Sequence, residues 1–249
     1  MRHARLGLGI LAVAGALAFG AVPAMAHEFI ASTTGKTHGA EESEQKFKFG
    51  PFKITCQKVS AKGAAAEGGS PTYATAIKYT KCLTSAFIGS TKRQIFLPTK
   101  WLTPLAIEYH ANGFVETGGG LEEVEGKAVI AAGSAELKVN TGKTSEFEKS
   151  ECHISWPEQT IPLKATKEPE GEFSSATYSN AEAPHKVTKV FPTGIQHYIV
   201  ISNNFKGIKF ELEGEPCEEW GKEEGPEGAA GTYVGSFPQF LTYGNLEYL

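Results

Sequence analysis

Phe52, Ile54 and Cys56 alternate with Lys53, Thr55 and Gln57, and Tyr73, Thr75, Ile77 and Tyr79 alternate with Ala74, Ala76, Lys78 and Thr80 before Cys82. Alternation at period two marks a strand with one buried and one wet face. Between the runs, Ala61 to Pro71 is rich in glycine and alanine and carries no large core-forming residue, so it reads as a long connecting loop. A cysteine on each run makes a stapled antiparallel pair the simplest arrangement.

The same pattern recurs along the chain. Strands are expected at Glu28–Ser32, followed by a loose threonine-rich loop, and on either side of Gly50-Pro51. Leu105, Ile107 and Tyr109 alternate with Ala106, Glu108 and His110, and Asn112-Gly113 is a hairpin signal leading to Phe114 and Val115. Further strands are predicted at 128–130, 135–139, 154–156, 160–163, 173–178, 233–240 and 246–249. His197–Ile201 and Ile208–Leu212 read as a pair joined through Asn203-Asn204. Helix-period windows with caps are lacking beyond the amino terminus. The expected class is therefore an all-β, antiparallel β-sandwich, divisible at Gly118-Gly119-Gly120 into packed halves 27–120 and 121–249.

The amino terminus sets the compartment. Arg2, His3 and Arg5 precede an apolar run and then Ala24-Met25-Ala26, the three parts of a secretory signal peptide. Residues 1–26 are predicted to be removed after Ala26, leaving a secreted all-β domain over 27–249 with no membrane span. The competing reading keeps 6–26 as an anchor, long enough to cross a bilayer but weakened by four glycines and Pro23. The four cysteines, Cys56, Cys82, Cys152 and Cys217, all follow this leader, and no C-x-x-C occurs. An even count in an exported chain favours two disulfides. Three pairings exist, and Cys56–Cys82 with Cys152–Cys217 is preferred because each closes a loop within its own half. On the loop-entropy account each bridge contributes roughly 3 to 4 kcal/mol.

Charge removes several function classes. All 28 acidic residues are glutamate, and Arg93 is the one arginine beyond the leader. Aspartate-rich calcium loops and a Ser-His-Asp triad have no material here, and G-x-S-x-G is missing. With one forked guanidinium and a net negative chain, nucleic acid is not an expected partner. Residues 27–110 hold 11 Lys plus Arg against 6 Glu, a balance of +5, whereas 111–249 hold 11 Lys against 22 Glu, a balance of −11. The split reads either as a solvated surface or as two faces that meet.

At Phe52-Lys53-Ile54-Thr55-Cys56, Tyr79-Thr80-Lys81-Cys82, Cys152-His153-Ile154-Ser155-Trp156-Pro157 and Gly231-Thr232-Tyr233-Val234-Gly235 the chain resembles a group of uncharacterised, secreted β-rich actinobacterial proteins with four cysteines. The resemblance implies secretion and a disulfide-bearing β fold. It carries over no site residue.

Three sets of residues are candidates for chemistry. Cleavage after Ala26 would expose the α-amine of His27 beside its imidazole, and with His110 these nitrogens would form a copper-binding histidine brace, resembling that of polysaccharide copper monooxygenases and small periplasmic copper carriers. Against it, the rest of the chain shows no likeness to those families. His38, His153, His185 and His197 show no H-x-H or H-E-x-x-H spacing, so zinc is not expected. Two of the glutamates meeting in a cleft would suit glycoside hydrolysis, although glutamates in Glu-Gly-Pro loops are ordinarily solvated. Trp101, Trp156, Trp220, Tyr109, Tyr198, Tyr233, Tyr243 and Tyr248 would make a carbohydrate-binding face if exposed, and ordinary core if not. The sequence reading is a non-catalytic binding or structural module meeting a cell-envelope or extracellular polymer, with copper binding and carbohydrate binding as alternatives.

Overall fold

The computed structural model describes residues 27–41, 43–88, 93–111, 113–117, 120–138, 151–164, 173–184, 195–214, 217 and 230–249. The leader and its cleavage point, Trp220, His185 and Asn112 fall outside them. Among the described residues no helix is long and apolar enough to cross a membrane.

The chain folds as an all-β, antiparallel structure. Its first strands are β1 (Phe29–Ala31), β2 (Gly35–Glu41), β3 (Gln45–Phe49), β4 (Phe52–Ala65), β5 (Gly68–Ser70), β6 (Thr72–Ile88), β7 (Arg93–Trp101), β8 (Leu105–His110), β9 (Gly113–Thr117) and β10 (Gly120–Val124). Then come β11 (Gly126–Ile130), β12 (Gly133–Lys138), β13 (Glu151–Trp156), β14 (Gln159–Leu163), β15 (Ser175–Pro184), β16 (Ile195–Ile208), β17 (Glu211–Glu213), β18 (Gly231–Leu241) and β19 (Leu246–Tyr248). One layer runs β15-β16-β18, then β2 and β3 end to end, then β4 and β6. The far edge of β6 is shared, β7 taking residues 82–88 and β8 taking 72–77. From there β7-β12-β13-β17 and β8-β11-β14 form the second layer. Phe47 against Trp101 (4.7 Å), Phe49 against Trp156 (6.1 Å) and Tyr109 against Phe205 (6.4 Å) join the inner faces. Strands from 27–120 and 121–249 pair with one another, β18 with β2 and β3, and β8 with β11.

Several loops expected from the sequence are strands. Ala61 to Ala65 continues β4, and 68–70 form β5. Ala61 is buried, and Gly63 two residues on has no room for a side chain, since a Cβ there would lie 2.4 Å from the Ala74 carbonyl oxygen. The stretch after Ser32 forms β2 in the same way. Asn203-Asn204 is not a turn, since β16 runs unbroken and is paired on both sides by β15 and β18. Two flanking ladders outweigh a local turn preference. Phe114 and Val115 do not extend the β8 sheet but pair with β10 in a two-stranded sheet.

Both preferred disulfides are present. Two bridges fit a chain made for an oxidising compartment. Cys56 and Cys82 face each other directly across β4 and β6, with Cα atoms 3.9 Å apart. Here both strands change face. Inward residues are Phe52, Ile54 and Cys56, then Val59 and Ala61 on β4; on β6 they are Tyr73, Ile77 and Tyr79, then Cys82. Consequently Gln57 and Lys58, and Thr80 and Lys81, stand outward in succession. Lys81 achieves this with a φ of 54°, the one positive value found among described non-glycine residues.

The strand edges are tied by side chains. Gln159 donates to the Lys209 carbonyl (3.0 Å) and accepts from its amide (2.7 Å). Asn180 does the same to Tyr248, at 2.8 Å each, and Ser174 to Lys206, at 3.0 and 2.8 Å. Each side chain substitutes for a neighbouring strand at one peptide position.

Candidate functional site

Inward and outward residues hold quite different chemistry. Inside, Tyr73 donates to Gln239 Oε1 at 2.5 Å and lies 2.5 Å from the Thr37 hydroxyl, which itself donates to Gln239 at 3.2 Å. Gln45, also fully buried, accepts from Tyr233 (2.9 Å) and donates to the Ser236 carbonyl (2.7 Å) and to Ser43 Oγ (2.9 Å). Tyr79, Tyr109 and Tyr178 hydroxyls, Trp101 Nε1 and both amide atoms of Asn203 are buried without a hydrogen-bond partner. Burial holds the hydroxyls of Tyr73, Tyr79, Tyr109, Tyr178 and Tyr233 well above the ordinary tyrosine range, and neighbouring tyrosines push Tyr79 and Tyr109 further up. An unpartnered buried hydroxyl costs about 1 to 3 kcal/mol. Tyr109→Phe is therefore expected to raise stability by about 1 kcal/mol, measured as a higher midpoint in urea. A lowered midpoint would show instead that this hydroxyl is paired, with Asn203, the neighbour that favours its ionised form, as the partner.

The aromatic residues named from the sequence are mostly interior. Tyr109, Tyr233 and Trp156 are buried, and Trp101 packs against the core between Phe47, Tyr79 and Trp156. Tyr198 stacks on Phe240 at 4.2 Å, and Tyr248 lies between Phe29 and Tyr178. Tyr243 alone of the described set is well exposed. Trp101, Trp156, Tyr109, Tyr233 and Tyr248 turn towards the space between the layers, whereas Tyr198, alternating with inward Ile199 and Ile201, stands on the outer face against Phe240, so the set forms no common sugar-stacking platform.

His27 stacks on Tyr248 at 5.8 Å where β1 begins, and His110 closes β8 with Nε2 2.9 Å from Glu108. His197 lies between Glu247 (2.7 Å) and Glu182 (3.9 Å), and His38 stacks on Phe240. Among the described residues no group of three or more His, Cys or Glu side chains is arranged to hold a metal. Cys56, Cys82, Cys152 and Cys217 are wholly structural.

The outer face of β15, β16 and β18 is the feature that sequence reasoning missed. Cross-strand register sets Ser175, Asn204 and Val234 in one row and Thr177, Ser202 and Ser236 in the next. These rows line a trough of about 670 Å³, with Lys206 and Glu44 also in its lining. Gly235 lies in its floor, and an added Cβ there would point away from the trough to within 2.0 Å of buried Gln45 Oε1. At Glu44 the trough meets a second concavity of about 380 Å³, lined by Thr55, Gln57, Lys58 and Lys81 over the change of face. The residues come from strands far apart in the chain, and only register puts them abreast. Hydroxyl and amide groups at fixed pleat spacing can donate and accept towards a polar ligand without rearrangement.

No family model, curated protein or solved structure matches the chain.

Proposed function

We propose that the protein is an exported binding module, acting at or outside the cell surface, that holds a polyhydroxylated polymer non-covalently in the β15-β16-β18 trough. The observation that carries this reading is the two rows Ser175, Asn204, Val234 and Thr177, Ser202, Ser236, polar but for Val234, set by ladders on both sides of β16 and lining a trough of about 670 Å³. Export is supported by the basic, apolar and small-residue order of the first 26 residues and by the two bridges. Sugar hydroxyls offer both donors and acceptors, which Asn204, Ser202, Thr177 and Ser236 complement.

The test is retention of the full mature chain on immobilised dextran, xylan and polygalacturonate, with affinity measured by calorimetry. Tryptophan emission is a poor readout, since Trp101 and Trp156 pack in the core. Asn204→Ala is expected to weaken binding about tenfold, near 1.4 kcal/mol. Equal affinity of Asn204→Ala and the parent on every polymer, or no retention at all, would overturn the assignment.

A further inference from the structure

Strands β3, β4 and β6 contain seven lysines, Lys46, Lys48, Lys53, Lys58, Lys62, Lys78 and Lys81, and no acidic residue. Alternation directs them all to one side. Phe47, Phe49, Phe52, Ile54, Cys56, Val59, Ala61, Ile77, Tyr79 and Cys82 take the core, and the lysines take the outer face, where all but half-buried Lys58 are exposed. The change of face at the Cys56–Cys82 bridge adds to the concentration by bringing Lys58 and Lys81 outward.

Register brings like charges together. Lys48 stands directly opposite Lys53, and Lys58 and Lys62 are both diagonal neighbours of Lys78 across the β4-β6 ladder. Directly opposed like charges are destabilising, and diagonal neighbours lie only about 7 to 8 Å apart. Lys46 pairs with Glu44 at 2.8 Å, but Lys48, Lys53, Lys62, Lys78 and Lys81 form no ion pair with a described glutamate. Lysines on edge strands commonly guard against pairing with other chains. That explanation does not reach here, because β4 and β6 are central strands, hydrogen-bonded on both sides. A repulsive array kept on central strands of the sheet calls for an opposing charge from outside the chain.

We infer that this face binds a linear acidic polysaccharide, which continues from the β15-β16-β18 trough across Glu44 onto the lysines of β3, β4 and β6. The inference rests on the polymer-binding reading and adds the charge of the polymer. Charge complementarity sets the anion, and Thr55, Gln57, Ser60 and Thr80 among the lysines supply hydroxyl and amide partners for sugar rather than for lipid. An anionic membrane surface would be expected to meet apolar anchors, and Leu83 is the one large exposed apolar side chain described on these strands. A nucleic acid would be met by arginine forks and stacking rings, which this face does not carry.

The test compares the full mature chain with K48Q/K53Q/K81Q and, as a control for loss of a lysine elsewhere, with K209Q. Binding is measured to polygalacturonate, dextran and phosphatidylserine vesicles over a range of salt. Polygalacturonate is expected to bind at least tenfold more tightly than dextran, to lose that advantage in the triple variant and not in K209Q, and to weaken with salt. K48Q alone should hold or raise Tm while lowering affinity, an opposition that a purely structural lysine would not produce. Dextran binding as tightly as polygalacturonate, or no effect of the triple variant, would overturn the inference while leaving the trough assignment to Asn204→Ala. Tighter lysine-dependent binding to vesicles, or lysine-dependent self-association in place of polymer binding, would overturn it in favour of a membrane or a second copy.

Discussion

Raising the pH beyond 10 is expected to unfold the protein within a narrow interval. Below pH 10 the buried hydroxyls of Tyr73, Tyr79, Tyr109, Tyr178 and Tyr233 are protonated in folded and unfolded chains alike, so they give stability no slope. Above it, the unfolded chain releases protons that the folded one retains, because burial raises all five groups. Stability then falls by about 1.4 kcal/mol per pH unit for each tyrosine, or about 7 kcal/mol per unit for the five. A domain of ordinary stability, about 5 to 15 kcal/mol, is exhausted over one to two units. The measurement is tyrosinate absorbance followed alongside far-ultraviolet circular dichroism. The two signals should change together. Tyrosinate appearing for all five groups while the β spectrum persists would refute the account.

Gly39→Ala should cost about 3 kcal/mol or more, the largest effect expected of any single methyl group here. Gly39 points inward on β2 where that strand meets β18, and an added Cβ would sit 1.7 Å from the Pro238 carbonyl oxygen and 2.8 Å from Gln239 Nε2. The first of these atoms is backbone, fixed by its ladder with β16. The second belongs to the group that fastens Tyr73 and Thr37. Relief therefore requires β2 to leave β18 or the polar cluster to come apart. Gly68→Ala is the companion measurement. Gly68 has a φ of 93° but open space around it, so its cost is backbone strain alone, about 1 to 2 kcal/mol. Equal losses for the two variants in urea unfolding would mean that crowding at Gly39 is not what that glycine avoids.

Large residues made much of the fold readable. Phe52, Ile54, Tyr73, Ile77, Ile107 and Tyr109 occupy inward positions, and both cysteine pairs close as loop length within each stretch suggested. What escaped notice was carried by small or polar inward residues. Thr37, Gly39, Ala61 and Gly63 look like loop composition, yet all are strand positions, and Tyr73 or Gln239 from neighbouring strands packs against Thr37, Gly39 and Gly63. Asn203 resembles a turn residue for the same reason, facing inward between Gly235 and Ala176. The candidate site was less legible still. Serine, threonine and asparagine carry no period of their own, and the trough arises from register between segments separated by tens of residues. The surplus of lysine over 27–110 was visible as a sum, but its gathering on one side of three adjacent strands depends on pairings that composition does not contain.

The amide and hydroxyl clasps of Gln159, Asn180 and Ser174 have a bearing on self-association. A sheet protein attached to a polymer is concentrated along it, and neighbouring copies would meet repeatedly through any exposed main-chain donors and acceptors. At Lys209, Tyr248 and Lys206 those groups are already occupied by residues of the same molecule. An approaching strand from another copy therefore finds no open main-chain donor or acceptor at those three positions.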